Sequence, residues 1–137
     1  MRNLGIEYPA ANTIQFKELG EPPQPGPTQV LLETQYSGIT NGTERHALVG
    51  EHFWKGNFPS AHGYQHVCRV AAAGDEVDNF AVGDRVFYGQ YVGHRGWHLV
   101  DVASAKALDF DSNLCFPLAD DVDPVECALF GVAGVAL

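Results

Sequence analysis

Two Gly-Asp pairs within one largely apolar stretch constrain the fold most strongly. Gly74-Asp75 and Gly83-Asp84 lie between a polar loop at 62–66 and Val86. Glycine accepts positive φ and Asp can bond its own backbone, so each pair predicts a tight turn. The apolar segment 67–73 has the length of a strand. The stretch 62–86 therefore predicts a compact β-meander that carries titratable side chains at one lip.

The composition favours one mainly β domain and excludes several partners. The chain has 137 residues, 45% of them hydrophobic, with 15 Gly and 8 Pro. This length supports one core, and frequent turns favour strands. The net charge of −9 argues against nucleic acid, because binding to phosphates needs Lys and Arg. The longest apolar run, 127–137, is too short to span a membrane.

The cysteine pattern and the N-terminal sequence indicate a cytoplasmic protein. The three cysteines are far apart and form no C-x-x-C motif, and the first residues lack the apolar core of a signal peptide. We expect reduced thiols. Cys68 follows the start of an apolar strand and precedes Arg69, and a buried structural thiol is expected there rather than a reactive one.

Alternating apolar residues and turn residues predict the remaining elements. Residues 43–49 have the character of a short helix, with Thr43 as its cap and Gly50 at its end. Asp123-Pro124-Val125-Glu126 is a typical helix start, with Asp as the cap and Pro in the first turn. Four segments predict strands: 13–19, 29–39, 85–91 and 97–102, with short β or coil at 108–117.

The helix predicted after Asp123 divides the chain into residues 1–123 and 124–137. Its residues 127–137 are apolar on every side, and such a helix must be buried. We therefore expect its burial to involve residues outside the 137. Either the chain is part of a longer protein or the helix docks on a partner.

The histidine spacing argues against a bound metal. His62-x3-His66 and His94-x3-His98 are the nearest approaches to a ligand pattern. On a strand these pairs would span about 13 Å, too far to share one ion. No C-x2-C or H-E-x-x-H motif occurs.

Proton transfer is a better candidate chemistry. Thr43 and His46 are three residues apart and face the same side of a helical turn, where a hydroxyl and an imidazole can pass a proton. The alternative is that Thr43 only caps the helix and His46 is a solvated surface residue.

Two aromatic residues follow this helix. Phe53 and Trp54 either pack locally under their loop or form the wall of a pocket, and we favour the pocket.

The order of these signals resembles the N-terminal GroES-like domain of the medium-chain dehydrogenases/reductases, the alcohol dehydrogenase superfamily. The motifs that carry the resemblance are YSGITNGTE at 36–44, Gly63-Tyr64-Gln65, VGDRV at 82–86, GWHLV at 96–100 and the helix start at Pro124. The resemblance covers essentially the whole chain. It implies a partly open β-barrel with a few short helices and a C-terminal apolar helix that leads into a Rossmann domain absent from these residues.

The resemblance also implies a cofactor and a role for several residues. The cofactor is NAD or NADP, bound mainly by the absent domain, whose G-x-G-x-x-G motif does not occur here. Zinc-dependent members carry ligands at positions where this chain has Thr40 or Asn41, Tyr64 and Val132, so no zinc is expected. The substrate would be an alcohol, a carbonyl or an activated alkene, reacting by hydride transfer.

The resemblance places the site residues at the two lips that zinc normally joins. The Asn41 amide and the Tyr64 hydroxyl would hold the substrate oxygen, and Thr43 and His46 match the proton-relay positions. Thr40, Phe53, Trp54 and Gln65 would surround the substrate, and these 137 residues alone would be inactive.

Two other interpretations stay open. The chain is a stand-alone barrel used for binding or assembly, or it is a zinc enzyme with relocated ligands such as His62, His66 or Glu44. A strand and a G-x-G-x-x-G motif after Leu137 would favour the enzyme. The resemblance also allows a homo-oligomer, without fixing its size.

Overall fold

A computed structural model describes residues 3–102 and 114–133. Seven strands and three short helices form in this part of the chain. The strands are Leu4–Glu7 (β1), Gln15–Glu18 (β2), Gln29–Ser37 (β3), His66–Ala73 (β4), Arg85–Tyr88 (β5), Trp97–Asp101 (β6) and Cys115–Pro117 (β7). The helices are Thr43–Val49 (α1), Pro124–Cys127 (α2) and Phe130–Ala133 (α3), and His52–Trp54 forms a 3-10 turn.

The strands form two antiparallel sheets, which confirms a mainly β, partly open barrel. The larger sheet has the order β6-β3-β4-β5-β7, and β1 and β2 form a separate pair. β3 is central: it pairs with β4 on one side and with β6 on the other. Ser37, the last residue of β3, pairs with His66, the first residue of β4. The loop that leaves β3 therefore lies beside the loop that enters β4. Those two loops carry the candidate site.

The alternation of apolar residues along these strands builds the core. Val30 and Leu32 on β3 face the same side as Val70 on β4 and Val100 on β6, and all are at most 3% exposed. Residues of one face recur every second position, so this face is the interior of the barrel. Burial of apolar surface is the main stabilising contribution to such a fold.

The predicted 62–86 stretch is confirmed as an antiparallel pair with tight turns. β4 pairs with β5, Cys68 opposite Val86. The Gly83 corner has φ +98, and Asp84 closes it by accepting a hydrogen bond from the Ala81 N–H at 2.8 Å. His66 belongs to the strand rather than to the loop.

The helix predicted at 43–49 is confirmed, but its cap is not Thr43. Gly42 occupies the N-cap position without a side-chain hydrogen bond, and Thr43 is the first helical residue. Gly50 ends the helix in the left-handed conformation, φ +74, as predicted.

The single apolar C-terminal helix is not confirmed. Asp123 does cap α2, accepting a hydrogen bond from the Val125 N–H at 2.7 Å. The helix then stops at Cys127, and α3 begins at Phe130. Only Cys127 and Ala128 are buried, while Leu129 and Phe130 are 47% and 45% exposed. Residues 134–137 of the predicted helix and 108–113 of the predicted β or coil segment lie outside the described residues.

β1 was not predicted. Its four residues, Leu4–Glu7, are too short to show a clear alternation, and they form a strand through pairing with β2. None of the helices in the described ranges is long and apolar enough to cross a bilayer.

Candidate functional site

The loop after β3 and the loop before β4 are joined by two hydrogen bonds. The Gly38 N–H donates to the Gln65 carbonyl at 2.9 Å. The Tyr64 hydroxyl donates to Thr40 Oγ1 at 3.1 Å. Gly38 is required at this junction, because a Cβ added there would overlap the Ala128 carbonyl oxygen. The structure thus brings together Thr40 and Tyr64, two of the predicted site residues.

Glu44 is a buried carboxylate that lies behind Thr40. It belongs to α1 and is 2% exposed. Its Oε2 accepts hydrogen bonds from the Thr40 hydroxyl at 3.0 Å and from the Thr40 N–H, and its Oε1 faces His94 Nε2. Burial raises the pKa of Glu44, but the hydrogen bonds from His94 and Thr40 outweigh it and lower the pKa. Glu44 is therefore a carboxylate near neutral pH.

His94 connects the carboxylate to the end of β3. Its Nδ1 faces the Ser37 hydroxyl and its ring is 6% exposed. The His94 N–H donates to the His62 carbonyl at 3.0 Å, which fixes the position of the ring beside the loop before β4. Gly63 has φ +140, and a Cβ there would meet the His94 backbone nitrogen at 2.7 Å. A glycine at this position is what allows His94 to lie so close.

A stack of aromatic rings covers the outer side of Tyr64. The Tyr64 ring stacks on Tyr91 with centroids 5.6 Å apart, and Trp54 stacks on the same tyrosine at 6.1 Å. The Tyr91 hydroxyl pairs with His62 Nδ1 at 2.7 Å. Burial lowers the pKa of His62, so its ring is held neutral. Trp54, one of the predicted pocket residues, therefore joins the stack that includes Tyr64 through Tyr91.

Gln65 connects the loop before β4 to α3. It is fully buried, and its Oε1 accepts a hydrogen bond from the Val132 N–H at 2.9 Å. The backbone of Gly131 also lies against it, since a Cβ there would meet Gln65 Oε1 at 2.8 Å. Gln65 thus supports the site from behind and contacts the C-terminal element rather than the open side.

The other predicted residues lie near the loop after β3 but share no described contact with Tyr64. Asn41 and Thr43 are exposed at the start of α1. His46 pairs with Glu51 at 2.9 Å instead of with Thr43. Phe53 is 98% exposed.

His66, His98 and Cys68 are buried in the barrel. His66 is fully buried, and its two ring nitrogens each lie 3.2 Å from a backbone carbonyl, of Tyr88 and of Gly93. Its ring lies 4.5 Å from that of His98, a contact that neither H-x3-H spacing predicts. Burial raises the pKa of the Cys68 thiol to about 12, which agrees with the prediction of an inert thiol.

The contact between Glu44 and His94, two residues of the candidate site, was not predicted from the sequence. They are 50 residues apart, and no local pattern pairs them. One signal was available: Glu44 lies three residues before Ala47 on α1, and these two are the buried residues of that helix. A carboxylate on the buried face of a helix needs a partner, because an unpaired buried charge is costly.

An open groove of about 250 Å³ reaches the other side of the Ser37–His94 pair. It is lined by residues of β1 and β3 together with Arg95. None of the eight predicted site residues lines it. The candidate site is therefore defined by the Tyr64–Thr40–Glu44 contacts and not by this groove.

Comparisons with known proteins agree on one family. Residues 26–132 match the family described as alcohol dehydrogenase GroES-like domain. An aldehyde reductase of Escherichia coli, YahK, is 37% identical over 67 residues, 48% of this chain and 18% of that protein. The quinone oxidoreductase structure of Pseudomonas syringae has a TM-score of 0.69 at 26% identity, covering 98% of this chain and 39% of that one.

A third similar protein shows the same fold. The Escherichia coli quinone oxidoreductase, solved with NADPH, has a TM-score of 0.69 at 19% identity over 97% of this chain and 38% of its own. In all three comparisons the chain spans well under half the length of the protein it resembles.

Proposed function

The chain belongs to the alcohol dehydrogenase GroES-like domain family, within the medium-chain dehydrogenases/reductases, and from this membership we propose that it is the substrate-side domain of an NAD(P)-dependent oxidoreductase. Its substrate is an alcohol, a carbonyl or an activated alkene. The likeness to an aldehyde reductase and to quinone oxidoreductases, one of them solved with NADPH, supports this assignment.

The observation that carries the proposal is a chain of hydrogen bonds that runs in one direction. Tyr64 donates to Thr40 at 3.1 Å, and Thr40 donates to Glu44 at 3.0 Å. The chain ends at the buried Glu44 carboxylate, which lies against His94, and the lowered pKa of Glu44 keeps this carboxylate ionised near neutral pH. The Tyr64 oxygen is thus left with lone pairs to accept a hydrogen bond from a substrate hydroxyl.

The direction of these hydrogen bonds suits the removal of a proton from an alcohol. The substrate hydroxyl donates to Tyr64, and as the carbonyl forms, the proton passes through Tyr64 and Thr40 toward the Glu44–His94 pair. In the reverse direction, the same groups return a proton to the substrate oxygen. A nicotinamide cofactor, when bound, takes or supplies the hydride. The exposed amide of Asn41, on the loop after β3, is a second donor for the substrate oxygen.

We further propose that the reaction does not use zinc. The positions where the resemblance places zinc ligands hold Thr40 or Asn41, Tyr64 and Val132, and none of them has a thiolate, an imidazole or a carboxylate. These residues do not fit the ion. Polarisation of the substrate oxygen would then depend on hydrogen-bond donors.

The proposed domain boundary agrees with the contacts of Gln65. Residues 1–123 carry the site, and residues 124–137 begin the connection to a nucleotide-binding domain. The bond from the Val132 N–H to Gln65 ties this connection to the loop that holds Tyr64. Because His46 pairs with Glu51 and Phe53 is 98% exposed, we keep Trp54 as part of the substrate surroundings and give Thr43, His46 and Phe53 no role in the reaction.

The test is Tyr64→Phe in the full-length enzyme, assayed with alcohols, aldehydes and quinones. We expect kcat to fall about 100-fold or more with little change in KM, as for loss of a general acid–base group. The matched control is Tyr91→Phe, which keeps the ring that stacks on Tyr64 and removes a hydroxyl outside the relay. An unchanged kcat for Tyr64→Phe removes Tyr64 from the mechanism.

Zinc independence is tested separately by dialysis of the active enzyme against a chelator. We expect kcat to be unchanged. If activity is lost and Zn²⁺ alone restores it, the enzyme uses relocated zinc ligands.

A further inference from the structure

Three metal-ligand side chains meet on the surface at the end of α1. They are His46, Glu51 and His52, and each offers one ligand atom within 4.8 Å of the other two. No other such group of three occurs in the described ranges 3–102 and 114–133. We propose that these residues form a binding site for a divalent transition metal, with Zn²⁺ as the ion.

The backbone turn after α1 brings the three side chains together. Gly50, in the left-handed conformation, reverses the chain so that the Glu51 N–H donates to the His46 carbonyl at 2.9 Å. The Glu51 carboxylate then lies 2.9 Å from His46 Nδ1. The turn therefore converts H-x4-E-H, which is not a recognised ligand spacing, into a local cluster.

His52 adopts an unusual backbone conformation that completes the cluster. Its φ is +54, in the left-handed region that non-glycine residues seldom enter. This conformation places its ring 4.6 Å from the ring of His46, edge to face. Such strained conformations are concentrated at functional sites, which is consistent with a ligand-binding role.

Two imidazoles and one carboxylate are a donor set that zinc uses, with water completing the coordination. Zinc–nitrogen bonds of about 2.0 Å place neighbouring ligand atoms about 3.3 Å apart, so only small side-chain rotations are needed. Glu51 and His52 are exposed and His46 is partly so, and the ion can enter without opening the core. Arg45 lies 3.7 Å from the same carboxylate and is the competing cation, but it is itself exposed and free to rotate away.

The rest of the chain offers no competing soft ligands. All six histidines and all three cysteines are described, and only His46 and His52 among them are accessible. His62, His66, His94 and His98 are buried, as are the cysteines. The site is also separate from Asn41, Tyr64 and Val132, and its existence does not depend on the proposed reaction.

The experiment is calorimetric titration of the chelator-treated 137-residue chain with Zn²⁺. We expect one equivalent to bind with micromolar affinity. The diagnostic variant is His52→Asn, since Asn tolerates the left-handed conformation but lacks the imidazole. It should weaken binding at least tenfold. Phe53→Ala, at the neighbouring residue that is 98% exposed, should bind as the original chain does.

Three outcomes overturn the proposal. They are no binding of Zn²⁺ up to millimolar concentration, equal affinities of the His52→Asn variant and the original chain, and binding that is lost on Tyr64→Phe instead. Circular dichroism of each variant establishes that it is folded. Because the readout is binding of the metal alone, it is independent of the oxidoreductase assay.

Discussion

At the scale of single residues, Glu44 is the side chain on which the site most depends. Its carboxylate satisfies the Thr40 N–H, the Thr40 hydroxyl and His94 while almost completely buried. We expect Glu44→Ala to lower the free energy of unfolding by about 3 kcal/mol or more, because it leaves His94 and the N–H and hydroxyl of Thr40 without their buried acceptor. Urea unfolding of the 137-residue chain measures this loss.

The control for this variant is Glu76→Ala, which removes an exposed carboxylate from the turn after β4. Its effect should stay within about 0.5 kcal/mol, as for most surface substitutions. Equal losses for the two variants would mean that the Glu44 hydrogen bonds contribute little to stability.

His66 predicts how stability depends on pH. Burial is the main cause that lowers its pKa to about 4; His94 and Arg95 act in the same direction, and the hydrogen bonds to the Tyr88 and Gly93 carbonyls oppose them. The unfolded chain, with an ordinary histidine pKa near 6.5, binds more protons between about pH 4 and pH 6.5. The free energy of unfolding should therefore be constant above about pH 7 and fall by up to about 3 kcal/mol as the pH drops through this window.

The measurement is urea unfolding at pH 7.5, 6.0 and 5.0, with His66→Gln for comparison. Gln cannot titrate. As the pH falls, the free energy of unfolding should therefore decrease more for the original chain than for the variant. His98, whose ring lies 4.5 Å from His66 and whose pKa is also lowered by burial, adds to the loss in both proteins. A difference that is independent of pH would show that His66 is not the group responsible.

The structure brings some of the predicted site residues together and separates others. The resemblance placed the Asn41 amide and the Tyr64 hydroxyl at two facing lips, and in the structure the Tyr64 hydroxyl lies 3.1 Å from Thr40 Oγ1, one residue before Asn41. A contact between Glu44 and His94 was not predicted, because it depends on how β1, α1 and the loop before β6 pack together. Thr43 and His46 share a helix face, yet His46 turns toward Glu51 across the Gly50 turn.

At the scale of elements, the junction between β3 and α2 leaves no room for a side chain. A Cβ on Gly38 would overlap the Ala128 carbonyl oxygen and lie 3.3 Å from Gln65 Nε2. The obstruction is backbone, which cannot rotate away. We expect Gly38→Ala to destabilise the chain by roughly 2 kcal/mol, as overpacking does, and to release the C-terminal helices from the loop before β4. Hydrogen exchange at Val132, whose N–H bonds Gln65, reports that release.

Gly42 provides the matched control for Gly38. It lies in the same loop, and a Cβ there would meet nothing within 4 Å. Gly42→Ala should cost at most about 1 kcal/mol, from the weaker capping of α1 by Ala, and should leave exchange at Val132 unchanged. If Gly38→Ala leaves both stability and exchange unchanged, the two elements do not approach as closely as the structure shows.

The elements differ in how well their sequences specify them. β3 has apolar residues on one face along nine positions and β4 is a largely apolar run of eight, and both were predicted within two residues. β1 has four residues and forms through its partner β2, so the information is not local. The C-terminal segment is apolar throughout, which predicts burial but not what it packs against. Packing of Cys127 and Ala128 alone on the barrel leaves α2 and α3 as separate short helices.

At the scale of the whole molecule, this chain covers 18% of the aldehyde reductase it resembles and 39% of the quinone oxidoreductase. Leu129 and Phe130 form an apolar patch, about half exposed, next to the segment that we propose leads to a nucleotide-binding domain. Apolar side chains that project together from a short helical segment are typical of an interface. We infer that this domain covers them in the full-length enzyme.

This inference predicts that one substitution has different effects in two lengths of the protein. In the 137-residue chain, Leu129→Asp should change the free energy of unfolding by less than about 1 kcal/mol, because the side chain is already 47% exposed. In a full-length enzyme the same carboxylate would be buried without a partner, and the loss should reach several kcal/mol. Phe16→Asp, at a residue 74% exposed on β2, should have a small effect in both lengths. Equal small effects of Leu129→Asp in the two lengths would place the nucleotide-binding domain elsewhere, and would favour a barrel whose C-terminal helices stay open to a separate partner.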